Sequence, residues 1–455
     1  MLKNRLRSAI GLLLVAGVAL SATACGDSDD DTGKAASGPV TLVVNGLPPA
    51  TEKANHGRFL ANVAEFEKAN PTIKIDAREG KMDPQTFQTK LAGGQLEDVF
   101  YVYFTDPASL IAKHQVSDIS KYLKDYPVTS QLKPEALKVF QDSGGKTYGL
   151  PAKNYSMGLL YNRDLFTKAG LDPNSPPKTW ADVRTAAKKI ADLGGGNVGY
   201  GDYSKSNTGG WHFTAELYSL GGDVAVKDGD TWKAGFNNAQ GRQVLQQLKD
   251  MRWTDDSMGS KQLLEYSDLL QMMGSNKLGM YLGTGSDIVN IVNQYKGKFE
   301  TFGLGSIPDG KGTLGGGDGY MFKAGLSPAK IKAGLTWLSF KSVAPDRIAE
   351  TLQRSSTNKE PVGLPQPNIW VTGSASDKSL VEQRAKFQNV PVENFAPFAA
   401  TEQSIPLKLE PPLAQQVYAV LDVPMQKVLT DRNANLDQLL AEAETQVNGV
   451  LGTVK

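Results

Sequence analysis

Three histidines, His56, His114 and His212, are the first side chains to weigh for chemistry. None stands in an HExxH pattern, so the chain lacks the helical ligand pair of a zinc hydrolase. No GxSxG elbow and no phosphate-binding P-loop occur. Gly310, Gly312 and Gly315 have GxGxxG spacing, but the Ile307–Gly310 segment before them reads as a turn rather than a strand. Asp27, Asp29 and Asp31 imitate the start of a calcium loop without its central Gly or closing Glu, and read as a solvated linker. Cys25 is the single cysteine, which excludes an internal disulfide and a cysteine-based metal site. A Ser–His–Asp triad or a pair of glycosidase carboxylates needs no adjacency in sequence, so both stay open, with nothing in the chain pointing to either. The reading is therefore of no catalytic group, no metal and no cofactor. With 49 basic against 48 acidic side chains, the charge offers nothing to a nucleic acid.

The elements that would position a site alternate between strand and helix. Val40–Val44 is a β-branched run followed by a loop from Asn45 to Pro49. Phe59, Leu60, Val63 and Phe66 then fall on one helical face, and Asn70-Pro71 stops that helix. Ile73–Ile75 and Asp98–Val102 read as further strands, the second followed by a loop from Tyr103 to Pro107. This alternation argues for a doubly wound α/β lobe. Ligands of such sheets lie beyond the carboxyl ends of the strands, which places Asn45 and Tyr103 on a candidate site edge. Residues 159 to about 307 repeat the α/β pattern as a second lobe. Within them, Trp211 follows Gly209-Gly210 in what reads as a loop leading into a helix. Trp180 and Trp337 fit helical core faces.

The most informative stretch runs from Tyr148 to Val183. It contains YGLP, then LLYNRDLF with AGL close behind, then P-x-TW, where Thr179 and Asp182 form a capping-box pattern. These motifs resemble the bacterial extracellular solute-binding proteins of the maltose-binding type, the receptors of ABC sugar importers. Weaker features of that family follow through most of the chain. The resemblance implies a two-lobed periplasmic-binding-protein-like α/β fold with three crossings between lobes. The first would lie near Tyr155–Gly158, the second at Gly315–Gly319, where glycines would give backbone freedom, and the third at residues 354–375. Lobe 1 is then expected over residues 40–155 and 319–364, and lobe 2 over 156–318 and 365–455.

A receptor for sugars needs aromatic faces for the C–H side of a pyranose ring and polar groups for its hydroxyl rim. By the resemblance, Trp211 and Tyr418 match positions where an aromatic stacks on sugar. Tyr155 flanks the first crossing, with Lys153 and Asn154 before it. Asp318 lies beside the second crossing as a hydroxyl acceptor, and Trp370 beside the third. Each has a plainer reading as core, hinge packing or a solvated turn. Many members carry an aromatic in the turn that Gly283–Ser286 occupies here. Its lack points to a ligand unlike a long maltodextrin.

The N-terminus reads as an export signal. Lys3, Arg5 and Arg7 precede an apolar core at Ile10–Leu20 and small residues before Cys25. Residues 1–24 are expected to be removed, with Cys25 lipidated and residues 25–39 a flexible tether. Ala22 stands where a lipobox usually has Leu. The protein implied is a monomeric, extracytoplasmic lipoprotein that captures a carbohydrate and delivers it to an ABC permease by hinge closure. The alternatives are a receptor for a polyamine or peptide and a secreted glycoside hydrolase.

Overall fold

The computed structural model describes residues 39–454, apart from positions 51–52, 81, 206, 230, 344 and 403. The expected signal peptide, nearly all of the expected tether and Cys25 lie outside the described residues.

Among the described residues, twelve strands form three sheets. In chain order they are β1 (Val40–Leu47), β2 (Ile73–Glu79), β3 (Val99–Tyr103), β4 (Gly149–Ser156), β5 (Gly158–Asn162), β6 (Val198–Tyr200), β7 (Ala225–Asp228), β8 (Thr231–Ala234), β9 (Leu278–Gly283), β10 (Phe302–Gly305), β11 (Thr313–Phe322) and β12 (Leu407–Leu409). The larger sheet has the order β12-β11-β3-β1-β2, with β4 also paired to β11. β1 runs parallel to β2 and β3, whereas β11 is antiparallel to β3 and β4. The second sheet has the order β10-β5-β9-β6, and β7 with β8 makes a hairpin.

The two larger sheets have separate cores, and residue alternation builds both. β5 and β9 are buried along their whole length, as an unbroken apolar run requires when both faces are covered. Leu159 and Tyr161 of β5 face a core with Val183, Leu217 and Leu421, while Leu160, one residue out of phase, faces Tyr281, Ile288 and Phe302. The first sheet packs Leu42, Val44 and Phe322 against Phe66 and Trp337. Thr179 caps the helix Trp180–Ala191 as its sequence predicts: its hydroxyl accepts the Asp182 N–H at 3.1 Å and the Asp182 carboxylate accepts the Thr179 N–H.

The chain leaves the first sheet at Met157, between β4 and β5. It returns after β10, through β11. The glycines there do not provide the free backbone expected of them. Gly315, Gly316, Gly317 and Gly319 lie inside β11, and a Cβ on Gly316 would stand 2.7 Å from the Tyr155 hydroxyl oxygen, one on Gly319 2.2 Å from the Phe140 ring. The rings of Tyr155, Phe104 and Phe140 leave no room for a Cβ on Gly316, Gly317 and Gly319, and the Leu407 side chain leaves none on Gly315. The third passage also differs from the division expected at residue 365. Leu364 packs in the second-sheet core, yet Ile369 and Trp370 return to the first core, and Val390 goes back to the second. Trp370 forms a β-bridge with Leu132 there, and β12 later brings the chain back beside β11.

Candidate functional site

One cavity of about 460 Å³ takes walls from both halves of the chain. From the first sheet come Tyr103 at the end of β3, Thr105 and Asp106 just after it, Tyr155 of β4 and Gly317 of β11. From the other side come Asn207, Thr208 and Trp211 at the start of the helix Thr208–Ser219, Glu410 after β12, and Gln415 and Tyr418 on the helix Ala414–Thr430. Met82 completes the lining.

Trp211 is in the first helical turn, not in a loop. Gly209 and Gly210 are helical too, because two helices meet there at close range: a Cβ on Gly210 would lie 2.3 Å from the Tyr418 carbonyl oxygen. The Asp422 carboxylate fixes this helix start. It accepts the backbone N–H groups of Asn207 and Gly210, each at 2.8 Å, which offsets the unpaired donors of a helix N-terminus. Burial nonetheless holds the Asp422 pKa above its ordinary value. The Trp211 ring lies 6.3 Å from Tyr155 and 6.5 Å from Tyr203. Tyr103 is 48% exposed, whereas Tyr418 is almost fully buried and donates its hydroxyl to Glu410 at 3.1 Å.

Two carboxylates give the cavity its electrostatic character. Burial pushes the Asp106 carboxyl up to about 6, against the pull of the Tyr103 N–H that it accepts at 2.9 Å. Burial likewise pushes Glu410 up to about 7, the Tyr418 hydroxyl lowering it and the Asp106 charge raising it further. Among the described residues that line this cavity there is no lysine, arginine or histidine. Rings with carboxylate and amide groups between them can stack on an apolar face and accept hydrogen bonds from a hydroxyl rim.

Of the residues expected at the site, Trp211, Tyr155, Tyr103 and Tyr418 line this cavity. Asp318 does not, although its neighbour Gly317 does. It is 6% exposed, accepts the Tyr101 hydroxyl, and pairs with Lys153 at 3.0 Å. Lys153 lines a different cavity on the first sheet. Asn154 sits on β4 opposite Gly317, and its Oδ1 is buried with no hydrogen-bond partner among the described residues. Asn45 is a structural residue rather than a site edge: it is 1% exposed, and its side-chain oxygen accepts the Tyr101 N–H, tying β1 to β3. Trp370, 4% exposed, belongs to the first core and not to the cavity.

Asp106, Glu410, Gln415, Asn207 and Thr208 were not singled out by sequence reasoning. Asp106-Pro107 ends a loop already assigned to a strand end, which was a usable signal. Glu410 precedes Pro411-Pro412 in an irregular stretch, and nothing local marks it. His212 makes a buried pair with Asp202 at 2.7 Å, and Ser204 donates to the same carboxylate. The serine thus bonds to the acid rather than to the imidazole, which is not the order of a nucleophilic triad.

The profile of the family described as bacterial extracellular solute-binding protein matches residues 53–340. A binding protein of Brucella abortus is 25% identical over 278 residues, covering 58% of this chain and 64% of that protein's length. The sn-glycerol-3-phosphate-binding periplasmic protein UgpB of Salmonella typhimurium is 29% identical over 147 residues, 30% of this chain and 33% of that one. Two solved structures share the fold. An ABC transporter solute-binding protein of Thermotoga lettingae bound to α-D-tagatose superposes with a TM-score of 0.70 at 20% identity, over 91% of this chain and 100% of that one. The cyclic α-maltosyl-1,6-maltose binding protein of Arthrobacter globiformis gives 0.68 at 22% identity, over 91% and 99%.

Proposed function

Since this chain belongs to the bacterial extracellular solute-binding proteins, we propose that it captures a sugar or short oligosaccharide outside the cytoplasm and presents it to an ABC permease. The observation that carries the reading is a cavity walled by Tyr103 and Tyr155 on one side and Trp211 and Tyr418 on the other. A ring held there contacts both halves at once. Such a ligand favours the closed arrangement by its differential affinity, and a permease can recognise that arrangement. Asp106, Glu410, Gln415 and Asn207 supply the hydroxyl partners. The protein acts without altering its ligand, as a monomer held to the membrane through a lipidated Cys25. Its lobes divide near residues 155 and 318, with the segment around Trp370 on the first. The cavity offers rings for a compact ligand, in keeping with the lack of an aromatic at Gly283–Ser286.

A thermal-shift screen of the full chain against mono- and oligosaccharides, with polyamines and peptides as controls, tests this reading. Ligand binding to the native state alone raises the melting temperature through RT ln(1 + [L]/Kd). A sugar-specific rise is expected, lost in Trp211→Ala. A rise with polyamines alone would transfer the reading to a cationic solute. Asp106 and Glu410, two carboxyls of raised pKa on one cavity, are also what a glycoside hydrolase would need. Turnover of the sugar during the screen would therefore overturn the receptor reading.

A further inference from the structure

A second cavity, of about 570 Å³, opens on the first sheet beyond the end of β1. Its chemistry is the reverse of the aromatic cavity: Arg58, Lys153 and Lys341 all line it, with no carboxylate among its described lining residues. Arg58 is held by Glu360 at 2.7 Å and Lys153 by Asp318 at 3.0 Å. Lys341 differs. Its ammonium lies 4.3 Å from the centre of the Phe59 ring and 4.6 Å from that of Tyr320, and bonds to the Tyr320 hydroxyl. Among the described residues it has no carboxylate within ion-pair distance. Ring faces attract a cation but do not neutralise it, so the half-buried Lys341 ammonium still lacks a counter-charge among the described residues.

We propose that this cavity binds an anionic group, a phosphate, sulfate or carboxylate, with the Lys341 ammonium as its counter-charge. Arg58 and Lys153, each already paired with a carboxylate, flank it as hydrogen-bond donors, and the rings of Phe59 and Tyr320 lie against the lysine. The pKa of Lys341 agrees with a missing partner: burial pushes it down to about 7, Lys153 lowers it further, and Asp318 opposes both. The charged and titratable groups around it are therefore Arg58 on the helix Lys53–Ala69, Tyr101 of β3, Lys153 of β4, and Asp318 and Tyr320 of β11. An anion raises the lysine's pKa, so binding takes up a proton near neutrality and tightens as pH falls.

Calorimetric titration of the full chain with sodium sulfate, at constant ionic strength held by chloride, reads this directly, since sulfate keeps its charge across the range. With a free pKa of about 7, affinity rises about tenfold from pH 8 to pH 6. Lys341→Met abolishes sulfate binding, whereas Lys341→Arg retains it and loses the pH dependence. Trp211→Ala leaves sulfate binding intact, which separates this site from the sugar reading. Competition by glucose 6-phosphate, but not by glucose, at sub-sulfate concentrations would assign the anion to a charged sugar cargo. Equal competition by inorganic phosphate and glucose 6-phosphate would assign it to a free ion. Absence of sulfate binding to the wild type, an affinity that is flat in pH, or binding unchanged in Lys341→Met overturns the proposal.

Discussion

The close approach of the Trp211 and Tyr418 helices makes Gly210→Ala a sharp test of how the aromatic cavity is built. The added methyl would stand 2.3 Å from the Tyr418 carbonyl oxygen and 2.5 Å from its Cα. Both belong to helix backbone, so no rotamer change relieves the clash. Restoring ordinary van der Waals separation requires the helices to part by about 1 Å. Overpacking of this kind costs about 1–3 kcal/mol, from which better helix propensity returns at most about 1 kcal/mol. The same displacement moves Trp211 away from Tyr418, so sugar affinity is expected to fall about tenfold, equivalent to about 1.4 kcal/mol. Urea unfolding gives the stability, and thermal-shift titration gives the affinity. Gly57→Ala is the control: it lies within the helix Lys53–Ala69 with nothing within 4 Å of a new Cβ, and should stabilise by about 0.5–1 kcal/mol. If Gly210→Ala behaves like Gly57→Ala in both assays, the helix contact does not set the cavity's geometry and the reasoning is wrong.

Asp422→Ala removes the acceptor for the Asn207 and Gly210 N–H groups; a loss of about 1–2 kcal/mol in urea unfolding is expected, with weakened sugar binding, because Trp211 loses its fixed helix start. Trp370→Ala should cost about 3–5 kcal/mol as a core deletion, yet leave the sugar affinity of the folded protein unchanged. Titration with pH separates Asp106 and Glu410. Both have folded pKa values above their ordinary ones, so the stability they contribute is present below about pH 4 and is lost as pH rises through 6 and 7. Ionisation over that same window creates better acceptors for sugar hydroxyls, so sugar affinity should increase from pH 5.5 to 8, and Glu410→Gln should remove the upper part of that rise.

The aromatic lining of the cavity was legible because its residues sit where sequence rules already look. Tyr103 ends a strand, Tyr155 lies beside a sheet-to-sheet passage, and Trp211 and Tyr418 stand at positions that the resemblance marked. What escaped is set by contacts between distant segments. Gly209-Gly210 reads locally as a break, and only the partner helix explains why glycine is needed inside a helix. Asp106 and Glu410 look like ordinary loop acids; their pKa values rise because walls contributed some 300 residues apart in sequence exclude water from both. Asn45 and Trp370 show the converse error. Each lies at a position where ligand groups are found in such folds, but one is taken up by a backbone N–H and the other by a hydrophobic core. The two faces of β5 escaped as well: it read only as an apolar run, and the structure shows adjacent residues entering different cores.

The first two passages between the sheets lie side by side and are bonded to each other. The Met157 N–H donates to the Leu314 carbonyl at 3.1 Å, and the Thr313 hydroxyl donates to the Met157 carbonyl at 2.9 Å. Leu314 packs into the second core, while the same strand, a few residues later, is a full member of the first sheet. Sliding one passage past the other would break both bonds, so the two strands are expected to move as one unit. Dyes placed on opposite halves would report such a motion as a change in one distance.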